Sequence, residues 1–289
     1  MSETTISGHT LSIKDHDRAS AGLTYVYPVV SRRAGGLSIG VNLNVNNACN
    51  WRCIYCQVPN LQRGAAPAVD LAKLQSELTG FLRNVLEGDF MQRCVPEGAR
   101  RLNDIALSGN GEPTSAREFA AVVDVIGEVR RDVGVPRDVK TILITNGSLA
   151  HQRRVEDGLR RLREINGEVW FKLDSATREG RARLNDTRTG MGQVSKNLGI
   201  ASRACPTWLQ TCVLAIDGEP PSDVEQQAYL DFIASRIGDG LALRGVLLYG
   251  LARKSFQPEA PRLSRLPLAW LENYAQRIRS LGLEVTVSA

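Results

Sequence analysis

From residue 35 onward the chain alternates six times between a short apolar run of strand character and a longer segment with helical apolar spacing. Residues 35–43 alternate small or polar with apolar side chains, as a strand does, after a lead-in over residues 25–33. Further strands are predicted over 103–108, 139–145, 168–173, 208–216 and 243–249, with a short extra one at 284–287. Between them lie helical faces. Asp70 is placed to cap the face of Leu71, Leu74, Leu78, Phe81/Leu82 and Val85. A capping box, Ser115-Ala116-Arg117-Glu118, precedes Phe119, Val122/Val123, Ile126 and Val129. Val155, Leu159, Leu162 and Ile165 mark a third helix, and Val194, Leu198 and Ala201 a fourth. A second box, Ser222-Asp223-Val224-Glu225, precedes Tyr229, Phe232/Ile233 and Ile237. Pro267 and Leu268 open the last helix, which Gly282 closes. Six βα units predict parallel strands covered by helices. The alternation alone leaves open an incomplete barrel and a doubly wound open sheet.

The chain of 289 residues is long enough to bury one sizeable core, with 43% hydrophobic and 23% charged residues. Residues 1–22 are polar and aperiodic and are expected to form a flexible arm; residues 23–289 are expected to form one domain. No apolar run reaches membrane-spanning length, and the first residues lack the pattern of a signal peptide. Six cysteines without such a signal predict a reducing, cytoplasmic location. A net charge of +5 and a pI near 9.0 favour anionic partners, RNA among them. The arginines at 130/131, 153/154, 160/161/163 and 178/181/183 read equally as solvated helix faces.

Three of the cysteines, Cys49, Cys53 and Cys56, fall in the spacing C-x-x-x-C-x-x-C just beyond the first strand. Thiolates are the standard ligands of iron–sulfur clusters. Three of them on a four-iron cube leave one iron free to bind a small molecule, as the open position of a catalytic metal site does. A zinc site and a disulfide with a spare thiol are the alternatives, although no histidine lies near and structural zinc takes four ligands. Cys94, Cys205 and Cys212 are scattered and read as small buried hydrophobes. Directly after the second strand comes Ser108-Gly109-Asn110-Gly111-Glu112-Pro113-Thr114, where glycines allow close backbone approach and Glu112 supplies an acceptor.

With the triplet and this turn one βα unit apart, the chain resembles the radical S-adenosylmethionine (SAM) superfamily. Tyr55 fits, since an aromatic residue usually precedes the last cysteine of that motif. The resemblance implies an α/β fold, a partial (β/α)6 TIM-like barrel of the radical SAM type. It implies two cofactors, a 4Fe-4S cluster on Cys49, Cys53 and Cys56 and SAM on Tyr55, Ser108, Gly109, Asn110, Gly111 and Glu112. Asn146, at the end of the third strand, is placed for the SAM carboxylate or ribose, and Asp174 or Ser175, after the fourth, for the ribose hydroxyls. Leu251, after the sixth, is placed for the adenine. Lys172 shares a strand face with Asp174 and would be a buried ammonium; Gln210 is expected to point inward, and Arg253 to meet an anionic substrate. These three are the candidate catalytic residues.

The chemistry implied is reductive cleavage of SAM to methionine and a 5′-deoxyadenosyl radical, which takes a hydrogen atom from substrate. An electron donor such as flavodoxin or ferredoxin is implied as partner. Ser31-Arg32-Arg33, Leu37-Ser38-Ile39-Gly40-Val41-Asn42, residues 49–57 and residues 108–114 together resemble the subgroup around wyosine-base synthases, which rebuild a guanosine in tRNA. Those enzymes hold a second cluster on cysteines upstream of the triplet, and no cysteine precedes Cys49 here. The expectation is therefore a small-molecule or peptide substrate, with tRNA as the alternative and a non-catalytic iron–sulfur or zinc protein as the alternative of another class. Oligomeric state is not read from the sequence.

Overall fold

The computed structural model describes residue 11 and residues 21–31 and 35–289. Most of the arm expected over 1–22, and Arg32 and Arg33 of the family-like segment, lie outside the described residues. The main elements are β1 (Val26–Ser31), β2 (Gly36–Val41), α1 (Leu71–Leu86), β3 (Leu102–Leu107), α2 (Phe119–Asp132), β4 (Lys140–Thr145), α3 (Arg153–Glu164) and β5 (Gly167–Lys172). They continue with α4 (Arg178–Asn185), α5 (Met191–Ala204), β6 (Thr207–Cys212), α6 (Asp223–Gly238), β7 (Gly245–Tyr249), α7 (Leu268–Arg279) and β8 (Glu284–Ser288). The eight strands form one sheet whose spatial order is the chain order, β1 to β8. β1 pairs antiparallel with β2, and every later pair is parallel.

That order separates the two architectures left open above. A doubly wound sheet reverses its strand order at a switch point, so that helices cover both faces. Here every crossover advances in one direction. Right-handed crossovers then place all the helices on one face. The sheet curls as a half-barrel with the helices outside. It has eight strands, two beyond the six-strand core expected: β8 was read in the sequence, whereas β1 was read only as a lead-in.

Side-chain alternation follows from this geometry. Leu37, Ile39, Val41, Ile105, Leu107, Leu143, Val169, Phe171, Leu209, Val246, Leu248 and Val285 are buried in the main core with the helices. Their strand neighbours Tyr27, Ser38, Asp104, Ala106, Ile142, Ile144, Trp170, Lys172, Gln210, Cys212 and Tyr249 line a cavity on the concave face. The core side supplies stability; the other side is free to carry polar chemistry.

One local expectation holds and three are corrected. Asp70 does cap α1, accepting from Lys73 N at 3.0 Å. The box at Ser115 does not form: Ser115 closes a 3-10 turn, donates to the Glu112 carbonyl at 2.6 Å, and leaves α2 without a side-chain cap. The second box forms by half. Ser222 Oγ accepts from Glu225 N, while the Glu225 carboxylate is drawn off to Ser175 and Thr177. Helix α4, read in the sequence only as an arginine cluster, is capped by Thr177, and its Arg181 is buried beneath the face of Trp51. No helix among the described residues is long and apolar enough to cross a membrane.

Candidate active site

The site lies where the loops after β2 and β3 meet. After β2 the chain runs through four asparagines before Cys49. Their short amides bond nearby backbone and tolerate positive φ, as Asn47 does at 55°. Asn42 Oδ1 accepts from Asn44 N at 3.1 Å and from Asn110 N at 3.0 Å. Asn44 Nδ2 donates to the Ala48 carbonyl at 2.8 Å, and Asn110 Nδ2 to Asn47 Oδ1 at 2.6 Å. The cysteine loop and the Gly-Asn-Gly-Glu loop are thus one hydrogen-bonded body.

The cysteine loop is held from two more sides. Helix α4 ends against it, with Ile54 N donating to the Leu184 carbonyl at 2.9 Å and Asn185 Nδ2 reaching Cys53 Sγ at 3.3 Å. Residues after β7 strap it, through Phe256 N to the Cys56 carbonyl at 3.0 Å and Ser255 Oγ to the Ile54 carbonyl at 2.7 Å. Arg52 grips Glu259 with two hydrogen bonds, at 2.9 and 2.8 Å, and also reaches Asp186 at 3.2 Å. All six cysteines are free, and Cys49, Cys53 and Cys56 line the same cavity. Burial pushes the thiol of Cys49 up to about 12 and that of Cys53 to about 11.

Glu112 is buried at the centre. Its Oε1 accepts from Thr114 N at 3.1 Å and from the hydroxyls of Thr114 and Thr145, both at 2.6 Å; its Oε2 accepts from Asn146 N at 2.7 Å. Burial raises its carboxyl above the usual range and these donors oppose the rise. The carboxylate ties the loop after β3 to the loop after β4, and Asn146 continues the chain of bonds to Asn50 Oδ1 at 2.8 Å.

A second buried network crosses the wall of the cavity. Lys172 donates to the hydroxyls of Tyr55 at 3.0 Å and Tyr249 at 3.1 Å. Tyr55 donates to Asp174, which also accepts from Asn185 Nδ2 at 2.6 Å and Cys212 N at 2.9 Å. Burial works against the Lys172 ammonium, but the groups around it, the Asp174 carboxylate foremost, together outweigh that and hold it charged. Burial keeps the Tyr55 phenol protonated.

Of the residues predicted from sequence, Cys49, Cys53, Cys56, Tyr55, Ser108, Gly109, Asn110, Gly111, Glu112, Asn146, Lys172, Gln210, Leu251 and Arg253 line one cavity of about 350 Å³. Asp174 stands behind that wall with its oxygens taken up, and Ser175 donates to Glu225 at 2.6 Å on the helix side. Sequence reasoning passed over Asn42, Asn44, Asn47 and Asn185, although the asparagine run before Cys49 was a signal. It also passed over Tyr249 as a hydrogen-bonding group and over Asp104 and Ser38 on the concave wall, whose only signal was strand alternation.

Cys49, Cys53 and Cys56 put three thiols, the donor type an iron–sulfur cluster takes, on the lining of one cavity. Among the described residues no three His, Cys, Asp or Glu side chains converge as a single-ion site requires.

No known family profile matches the chain. It is 27% identical over 135 residues to a protein named GTPase Obg from Brachyspira hyodysenteriae, covering 46% of this chain and 17% of that one. It is 26% identical over 149 residues to the UPF0026 protein of Helicobacter pylori, covering 51% of this chain and 41% of that one. The chain therefore spans less than half the length of these two relatives. Among solved structures it resembles a radical SAM methyltransferase from Sphaerobacter thermophilus, with a TM-score of 0.57 and 16% identity over 87% of this chain and 66% of that one. It also resembles Streptococcus suis SuiB bound to S-adenosylmethionine, with a TM-score of 0.53 and 13% identity over 88% of this chain and 47% of that one. At these identities the likeness is one of fold. The shared feature is the fold, an α/β half-barrel like those of these two structures.

Proposed function

We propose that the protein is a radical SAM enzyme acting on a small-molecule or peptide substrate held in the concave cavity. The observation that carries this reading is the interlock of the cysteine triplet with the Gly-Asn-Gly-Glu turn at the C-terminal ends of the strands, where barrel enzymes place their chemistry. Cys49, Cys53 and Cys56 would hold a 4Fe-4S cluster, and the turn from Ser108 to Glu112, with Asn146 and Leu251, would hold SAM. With both bound, the pair supplies reductive cleavage of the sulfonium and hydrogen-atom abstraction.

The chain's own residues do the positioning. Gly111 lets the turn lie against the cysteine loop, and Glu112 fixes the two loops that frame the SAM site. Tyr55, Asp174 and Asn185 fix the backbone around Cys53. Lys172, Gln210 and Arg253 face the substrate side. Tyr27, Trp170 and Tyr249 give the cavity aromatic walls that shed water, which protects a reactive species from side reactions. A cavity of about 350 Å³ within a curled sheet suits a small or extended substrate better than a polynucleotide. An electron donor such as flavodoxin or ferredoxin is the reductant this reading requires.

The test is anaerobic reconstitution with iron and sulfide, followed by dithionite and SAM. Formation of 5′-deoxyadenosine is expected. A protein that binds one zinc, no labile sulfide, and yields none would overturn the reading.

A further inference from the structure

At the N-terminal end of β3 the concave wall carries a carboxyl group that nothing above uses. Asp104 is 5% exposed and lines the cavity. It accepts from Ser38 Oγ across the β2–β3 pair, where the two residues are in register. Among the described residues no Lys, Arg or His forms an ion pair with it. Burial pushes its carboxyl up to about 6, so it is still largely ionised at neutral pH. A buried carboxylate without a cation is expensive unless something supplies one.

A second observation points the same way. Gln210, on β6 in the same cavity, is 3% exposed, and its Oε1 has no hydrogen-bond partner. A buried amide oxygen without a donor, on a side chain that lines a cavity, is a group that a ligand can complete when the amide turns toward it. Both groups are acceptors. The ligand must therefore bring donors, and at Asp104 it must bring positive charge.

We infer that the substrate is an elongated organic amine, its ammonium seated on Asp104 and Ser38 and a neutral N–H or O–H donor on Gln210 Oε1. The length follows from the strand. Asp104, on β3, and Ser108, the residue just past its end, are four residues apart, about 13 Å at the usual strand rise. The ammonium end thus lies well away from the SAM turn, and the reacting carbon sits along the chain and not beside the amine. The second donor is neutral because Lys172, in register with Gln210 on the neighbouring strand, repels another cation. This rests on the reading proposed above and adds the substrate class to it.

The test uses reconstituted protein with SAM under anaerobic conditions and titrates three probes with the same six-carbon chain calorimetrically: 6-aminohexan-1-ol, hexane-1,6-diol and hexylamine. The amino alcohol is expected to bind at least about tenfold more tightly than the diol. Asp104→Asn should reduce that preference to about twofold or less, and Ser38→Ala, which keeps the carboxyl, should weaken the amino alcohol several-fold. Gln210→Leu should erase the preference for the amino alcohol over hexylamine and leave the preference over the diol. Equal binding of amine and diol to the unaltered protein, or a preference that survives both Asp104→Asn and Ser38→Ala, overturns the inference. If the unaltered protein makes 5′-deoxyadenosine but ignores the amine, this inference alone fails. If it makes none, the parent reading fails whatever the amines do.

Discussion

Gly111 lies so close to Ala48 that a Cβ on it would stand 2.0 Å from the Ala48 carbonyl oxygen, and 2.6 Å from Asn44 Nδ2. The loop after β3 and the cysteine loop touch backbone to backbone there, and only glycine permits it.

Gly111→Ala is therefore expected to force the two loops apart. Overpacking of this kind costs about 1–3 kcal/mol, and iron uptake on reconstitution should fall with it. Gly80, inside α1 with open space where a Cβ would go, is the control. Gly80→Ala should raise stability by about 0.5–1 kcal/mol and leave iron uptake unchanged. Thermal melts and iron analysis of both variants decide the matter.

Cys53→Ala should lose the visible absorption of the cluster yet keep the far-ultraviolet signature of the fold, because the main core lies on the other side of the sheet. Retention of a full cluster spectrum in that variant would contradict the ligand assignment.

Lys172 sits half-buried between two tyrosine hydroxyls and near Asp174. Lys172→Met removes two hydrogen bonds to tyrosine hydroxyls and the positive charge near Asp174, and is expected to cost about 1–3 kcal/mol. The double variant Lys172→Met/Asp174→Asn should recover part of that loss. Urea unfolding of the two single variants and the double variant measures the coupling, and strict additivity would dissolve the proposed network.

Asp104 makes a prediction about pH. Its carboxyl titrates near 6 in the fold against an ordinary value of 3.8, mainly because burial disfavours the charge. A group raised in this way contributes stability that is complete below pH about 4 and is lost as pH rises through about 6. The span is about 3 kcal/mol at most. Asp104→Asn should flatten that dependence and melt higher than the unaltered protein at pH 7.5. Parallel melting curves for the two proteins between pH 4 and 8 would contradict it.

The strap over the cysteine loop is ionic at one point. Arg52 holds the Glu259 carboxyl below the usual range, so that contact is present above the ordinary glutamate value and fades as pH falls. Both side chains are partly exposed, so Glu259→Gln should cost about 1 kcal/mol or less. The larger expected effect is faster bleaching of the cluster in air, followed by visible absorption.

The apolar periods of 2 and 3.6 are local properties, and they settled where the strands β2 to β8 and the long helices other than α4 lie; the short helix Phe90–Cys94 was not read. The spacing of Cys49, Cys53 and Cys56 and the Gly-x-Gly-Glu turn were legible for the same reason, since ligand spacing and backbone freedom are written in adjacent residues. Three things were not. The Ser115 box failed because Ser115 found a partner in the Glu112 carbonyl, a choice made by the neighbouring loop. Helix α4 was hidden by its polarity, since its one large buried face is that of Arg181 against Trp51. The strand order, which excludes a doubly wound sheet, depends on which edge each crossover joins, and no window of sequence records that.

The sequence by itself determined the elements, the three thiols and the glycine turn, because each is set by residues close together along the chain. Only the tertiary structure decided which strand face is concave. With it came the meeting of Asp104, Ser38 and Gln210 in one cavity with the cysteines, since those residues lie on strands far apart in the chain and are joined only by the curl of the sheet.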